Sequence, residues 1–207
     1  MSLVTTLKSL TVCALLAGTP AAFGQITAKI ETADPSFDNL QSPEIGGNTG
    51  KKSWKPKDWL EAEVKITVDL ADKKKKTLDS LTVSWFVAVE DPGKGKQYLL
   101  LEKKISHVNV PEGEDVYCSV YISPASLMAL TGKSRATKNA VWGIGGEITA
   151  PGAKPVRFSS KGEVKKTPWW TSGKLQRSTK YPLLNKNETP FKILWWDRYA
   201  EIKDETR

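Results

Sequence analysis

From Leu60 the chain alternates with period two. Leu60, Ala62, Val64, Ile66, Val68 and Leu70 are apolar, and Glu61, Glu63, Lys65, Thr67 and Asp69 between them are polar. This pattern predicts a strand with one face on a dry core and the other in water. After a turn over Asp72 to Lys76, Leu81, Val83, Trp85, Val87 and Val89 share one face, opposite Thr82, Ser84, Phe86 and Ala88. Apolar residues on that second face predict a more central strand, closed by Asp91-Pro92-Gly93. Further strands are predicted over Tyr98 to Val110, Val116 to Ile122, Ala140 to Thr149, Val156 to Glu163 and Phe191 to Trp196. Pro151-Gly152 joins the Ala140 and Val156 strands as a hairpin. One short helix is well punctuated: Ser123 caps it, Pro124 fits its first turn, and Leu127, Met128 and Leu130 form its apolar stripe. Gly132 suits its left-handed stop. A helix so placed in a sheet protein crosses between layers.

About eight short strands with frequent turns predict an all-β fold, an antiparallel immunoglobulin-like β-sandwich with one short connecting helix and two long loops. The loops are Thr32 to Lys57 and Lys165 to Pro190, rich in Pro, Gly, Ser and Asn and longer than ordinary connections. Either they are mobile or they are pinned by Phe37, Trp54, Trp169 and Trp170, and the aromatics favour pinning. Trp85 resembles the core tryptophan of immunoglobulin domains. Asp115-Val116-Tyr117-Cys118 looks like a tyrosine corner, yet its Tyr and Cys are adjacent and so point to opposite faces, and no partner cysteine accompanies them.

The first residues read as an export signal. Lys8 supplies positive charge, Leu10 to Leu16 a short apolar core, and Ala22-Phe23-Gly24 a small-x-small cleavage site, so residues 1–24 are expected to be removed. The mature protein is then a single domain over residues 25–207, working in the periplasm, on the outer cell surface or outside the cell. Cleavage removes Cys13 and leaves Cys118 as the only thiol beside the single imidazole, His107. One cysteine cannot form an internal disulfide. Cys118 alternates with Val116, Val120 and Ile122, which makes it an inert core residue. No apolar run after the leader approaches the roughly 18 residues of a membrane helix, so no transmembrane segment is expected in the mature chain.

Lys and Arg outnumber Asp and Glu by 31 to 23, for a net charge of +8. The lysines cluster at Lys51-Lys52, Lys73 to Lys76, Lys94 with Lys96, Lys103-Lys104 and Lys165-Lys166, beside turns and strand ends. There they deter edge-to-edge pairing, and they also suit an anionic glycan or cell surface. Nucleic acid is not an expected partner, because no binding motif accompanies the charge.

Reactive chemistry is sparse. Gly132-Lys133-Ser134 resembles the end of a phosphate loop, but Leu127 stands where that loop needs Gly, and the triplet follows its helix. Gly143-Ile144-Gly145-Gly146 lacks the third glycine of a dinucleotide fingerprint, and glycines inside a strand mark a bulge or a close backbone approach. Ser106 and His107 face opposite ways on one strand, which makes His107 structural. One His and one Cys cannot supply a zinc set. No catalytic, cofactor or metal residue is therefore assigned and the protein is read as non-enzymatic; a carboxylate pair or a calcium site stays open.

The tryptophans remain. Trp169-Trp170 and Trp195-Trp196 are adjacent pairs, and strand alternation would send one ring of the second pair inward and the other outward. A long loop could cover the outer ring. Alternatively Trp54, Trp169, Trp170 and Trp196 form a contact surface, either a protein-docking patch or a stacking platform for a glycan.

Asn187-Glu188-Thr189-Pro190-Phe191-Lys192-Ile193-Leu194-Trp195-Trp196-Asp197-Arg198-Tyr199-Ala200-Glu201, with Trp59 to Val64 and Ser84 to Asp91, resembles a secreted protein family of verrucomicrobial, Akkermansia-type pilus-associated gene clusters. The resemblance spans most of the mature chain. It implies an immunoglobulin-like fold likened to archaeal type IV pilins, and protein partners in a pilus or envelope assembly. The resemblance supplies no binding residues. Contact through strand edges or the aromatic surface also suits self-association as a homo-oligomer.

Overall fold

The computed structural model describes residues 27–44, 54–94, 97–132, 138–162 and 167–204. The export signal, Lys51-Lys52, Lys96, Lys133-Ser134 and Lys165-Lys166 lie outside the described residues. In chain order the elements are β1 (Ala28–Thr32), β2 (Ser36–Gln41), β3 (Asp58–Leu70), β4 (Thr77–Glu90), β5 (Tyr98–Pro111), β6 (Asp115–Ile122), α1 (Pro124–Thr131), β7 (Val141–Thr149), β8 (Val156–Ser159), β9 (Gln176–Arg177) and β10 (Leu183–Asn185). One sheet runs β1-β3-β6-β10, with β2 also on β3; the other runs β8-β7-β4-β5-β9.

The alternating patterns sort side chains as expected. Leu60, Ala62, Val64, Ile66, Val68 and Leu70 of β3 are all buried, as are Leu81, Val83, Trp85, Val87 and Val89 of β4. The two sets meet between the sheets, where Trp85 packs edge-on against Phe158 with ring centroids 5.0 Å apart. Cys118 of β6 lies in the same core, and burial pushes its thiol pKa up.

The pairings β3–β6 and β4–β7, with the hairpins β4–β5 and β7–β8, are the B–E, C–F, C–C′ and F–G pairings of an immunoglobulin sandwich. Trp85 falls on the strand equivalent to C. Tyr117-Cys118 falls on the equivalent of E, in the opposite sheet, whereas a tyrosine corner belongs to strand F. Helix α1 carries the chain from β6 to β7, one sheet to the other. Ser123 Oγ accepts the Ser126 N–H at 3.2 Å and Gly132 takes φ 68°. Leu127 and Leu130 are buried, while Met128 is 53% exposed.

Three segments differ from expectation. Thr32 to Lys57 contains β2, which buries no residue but zips along the first half of β3, and Phe37 packs against the core. Lys165 to Pro190 contains β9 and β10. Phe191 to Trp196 is not a strand: Thr189 Oγ1 accepts the Phe191 N–H at 3.2 Å and Pro190 starts a short 3-10 helix over Pro190–Ile193. A capping threonine followed by proline sets helical backbone at that point and overrides the apolar run.

Candidate functional site

The C-terminal segment from β9 onward acts as a strap along the side of the sandwich where β5 and β6 face each other. Ser178 N–H donates to Leu100 O at 3.0 Å, and β10 pairs antiparallel with the end of β6. Further on, Ala200 N–H donates to Tyr117 O at 2.9 Å and Lys203 N–H to Ser106 O at 2.8 Å. One stretch of chain thus makes hydrogen bonds to both sheets and covers part of both edges, which limits pairing with other molecules there.

Side chains lock the strap onto the outer face of β3 and β6. Phe191 is fully buried, stacked on Tyr121 at 5.4 Å and edge-on to Trp59 at 5.7 Å. Tyr121 Oη donates to Glu61 Oε1 at 2.5 Å, and Tyr199 Oη donates to Glu63 Oε2 at 2.7 Å. Arg198 donates to Glu63 Oε1 at 2.7 Å and lies over the Tyr117 ring at 3.7 Å. Burial raises the Glu61 pKa against the lowering effect of its two tyrosine donors. Lys186 is buried, donates to Leu194 O and sits 4.8 Å from the Tyr199 ring. Asn185 and Glu188, on either side of it in the chain, form a reciprocal capping box. Glu61 and Glu63 are two neighbouring carboxylates, but both are engaged by tyrosine and arginine beneath the strap, so their oxygens stabilise packing here.

His107 lies under the same segment. Its ring is buried, Nδ1–H donates to Ala200 O at 3.1 Å, and Nε2 has no partner among the described residues. Burial lowers its pKa to about 4. Neutral at ordinary pH, it fills space and ties β5 to the strap. Ser106 points away from it, as strand alternation requires. Among the described residues no group of three or more His, Cys, Asp or Glu could hold a metal ion, and no helix is long and apolar enough to cross a membrane.

The four tryptophans singled out from the sequence do not come together as one surface. Trp170 is only 6% exposed and lies flat on Phe86, with centroids 5.1 Å apart and an 8° interplanar angle. Trp169 is half-buried, perpendicular to Trp170 at 86°, and its Nε1–H donates to Ser159 Oγ at 2.9 Å. These two form a lid on the outer face of β4, β5 and β7, not a coplanar stacking platform. Trp54 and Trp196 are exposed, 47% and 77%.

Sequence reasoning missed the companions of Trp196. Ile193 is 61% and Trp195 46% exposed, beside the strap's buried anchors. Trp195 also holds φ 50°, a left-handed conformation unusual for a bulky residue. The signal was legible: Asn185 to Glu188 is a capping box and Thr189-Pro190 a second helix start, which together exclude a strand through Trp195-Trp196.

Fold and strap define a two-sheet immunoglobulin-like module, closed by its own C-terminal segment, that displays an apolar loop. Residues 22–206 match a single protein-family model, and the chain belongs to that family. A protein of Akkermansia muciniphila, known from a crystal structure, is 34% identical; the match has a TM-score of 0.80 and covers 86% of this chain and 95% of that one. No curated protein matches the chain.

Proposed function

We propose that this chain is an exported, non-enzymatic module that acts by protein contact in a pilus-associated or other cell-envelope assembly. The observation that carries this reading is the exposure of Ile193, Trp195 and Trp196 on a strap whose flanks are fixed. Exposed aromatic and aliphatic side chains on a preorganised loop are what contact hot spots are made of. The sequence of the leader, with Lys8, the apolar Leu10 to Leu16 and Ala22-Phe23-Gly24, supports the envelope setting. Type IV pilins keep an apolar N-terminal helix that packs the filament core. Here Leu10 to Leu16 precede the cut, so the role is that of an accessory or surface module.

The test expresses the full chain in an Akkermansia host with a photo-crosslinking residue at Trp196 and, as control, at Met128, which is also exposed. A discrete adduct at Trp196 alone, with one envelope protein or a second copy, is the expected result. Adducts that are equal at both positions or missing at both, from a chain that sediments as a monomer, would overturn the contact reading. Mass spectrometry of the secreted chain should find Gln25 first; a start retaining Leu10 to Leu16 would return the filament role.

A further inference from the structure

Where the strap leaves β5 to cross toward β6, it opens a cleft. Leu100 and Ser106 offer their carbonyls to the strap, so by strand alternation the backbone of Lys104 points the same way. Between those two anchor points residues 101–105 pair with β4. Lys104 lines a cleft of about 430 Å³ together with Asn187, Lys192 and Lys203. A second lobe of about 480 Å³ shares Asn187 and Lys192 and is walled by Trp196 and Tyr199.

The charges in this cleft are unequal in how they are held. Lys103 is neutralised by Glu188 at 2.8 Å. Lys104, Lys192 and Lys203 are exposed and make no ion pair among the described residues. Asp204 lines both lobes and Glu201 the second, and these two carboxylates offset part of this excess. Three cations and an amide, with an indole 77% exposed in the adjoining lobe, match one ligand chemistry. A negatively charged substituent would meet the lysines, hydroxyls would meet Asn187, and the apolar face of a pyranose ring would stack on Trp196.

We infer that this cleft binds an acidic saccharide, carboxylated or sulfated, through Lys104, Lys192, Lys203, Asn187 and Trp196. A saccharide accounts for the indole beside the lysines; a bare anion would leave it without a role. The site is distinct from the protein-contact function of the loop, although Trp196 borders both.

Titration calorimetry and tryptophan fluorescence on the folded chain test the inference, with heparin oligosaccharides, oligogalacturonate, dextran oligomers, inorganic sulfate and poly-glutamate as probes. Binding by one or both acidic oligosaccharides, with indole quenching, is expected, and their relative affinities tell sulfate from carboxylate. Dextran should not bind. Lys192→Ala and Lys203→Ala should each weaken binding about tenfold, the worth of one charge-assisted hydrogen bond, and Asp204→Asn should tighten it. Trp196→Ala should abolish quenching and weaken binding by a similar factor. Equal losses from Lys74→Ala and Lys75→Ala, at the remote β3–β4 turn, would mean diffuse charge attraction and overturn the site. Sulfate or poly-glutamate binding as tightly as the oligosaccharides, or an unaltered affinity in Trp196→Ala, would overturn the saccharide assignment.

Discussion

Two tryptophan pairs in this chain meet opposite fates. Trp169-Trp170 folds inward over the sheet, and Trp195-Trp196 projects from the strap, 46% and 77% exposed. The difference lies in what faces each pair. Under Trp170 the strand β7 carries Gly145, and a methyl group built there would lie 2.4 Å from the indole. The missing side chain is the space the ring occupies, with Phe86 as its floor. Trp195 and Trp196 stay in contact with solvent instead. Phe191, Tyr199 and Arg198 hold the strap, so those two rings are not needed for its packing. Burial of an indole is therefore decided by the strand opposite it, and an aromatic pair in sequence carries no direction of its own.

The largest expected effect of breaking this contrast is at the lid. Trp170→Ala removes a buried ring stacked on Phe86, and should cost about 3–5 kcal/mol in denaturant unfolding. A cost below about 1 kcal/mol, the range of a surface change, would show that the lid does not rest on the sheet.

The strap should respond to pH where the lid does not. The His107 pKa is depressed to about 4 in the folded chain by burial, and near 6.5 when unfolded. Between these values the unfolded chain holds a proton that the folded chain refuses, so stability is present above pH 6.5 and falls as the pH drops toward 4. The loss amounts to about 3 kcal/mol over that window. Glu61 is shifted the other way, and its own contribution has the opposite sign. Unfolding measured from pH 7 to 4 should therefore slope more gently in His107→Gln than in the parent chain. An unchanged slope would mean that His107 is accessible to water.

How far the sequence reached can be read from the same two regions. The alternation in β3 and β4 was legible because each strand buries one whole face, and α1 because both its ends carry specific caps. β2 and β9 were not legible. Their residues stay exposed or half-exposed, and backbone pairing with a neighbour holds them, which leaves little trace in a hydropathy pattern. The candidate site was half legible. Trp196 stood out by type, but its exposure follows from the 3-10 helix begun at Thr189-Pro190, and the lysines of the cleft come from three separate stretches of chain. Only the path of the strap brings Lys104, Lys192 and Lys203 to one place.

A milder test of the lid adds volume. Gly145→Ala places a Cβ 2.4 Å from Trp170 and 3.1 Å from the Phe158 carbonyl. The ring can shift but the strand β8 backbone cannot shift freely, so a loss of about 1–3 kcal/mol is expected. The double variant with Trp170→Ala should lose less than the sum of the two, because removing the ring removes the closest clash. Strict additivity would mean that the Phe158 carbonyl, and not the indole, sets the demand for glycine.

The smallest effect on stability should come from the outward pair. Trp196 is 77% exposed, and its replacement by Ala should change unfolding free energy by no more than about 0.5 kcal/mol. It should nonetheless weaken acidic-oligosaccharide binding, because that binding draws on the ring. Stability and binding would then separate: Trp170 supports the fold without making contact, and Trp196 makes contact without supporting the fold. If Trp196→Ala instead unfolded as readily as Trp170→Ala, the ring would have to be packed in solution. The exposed loop would then belong to the core of the strap, and both the contact reading and the saccharide cleft would lose their aromatic wall.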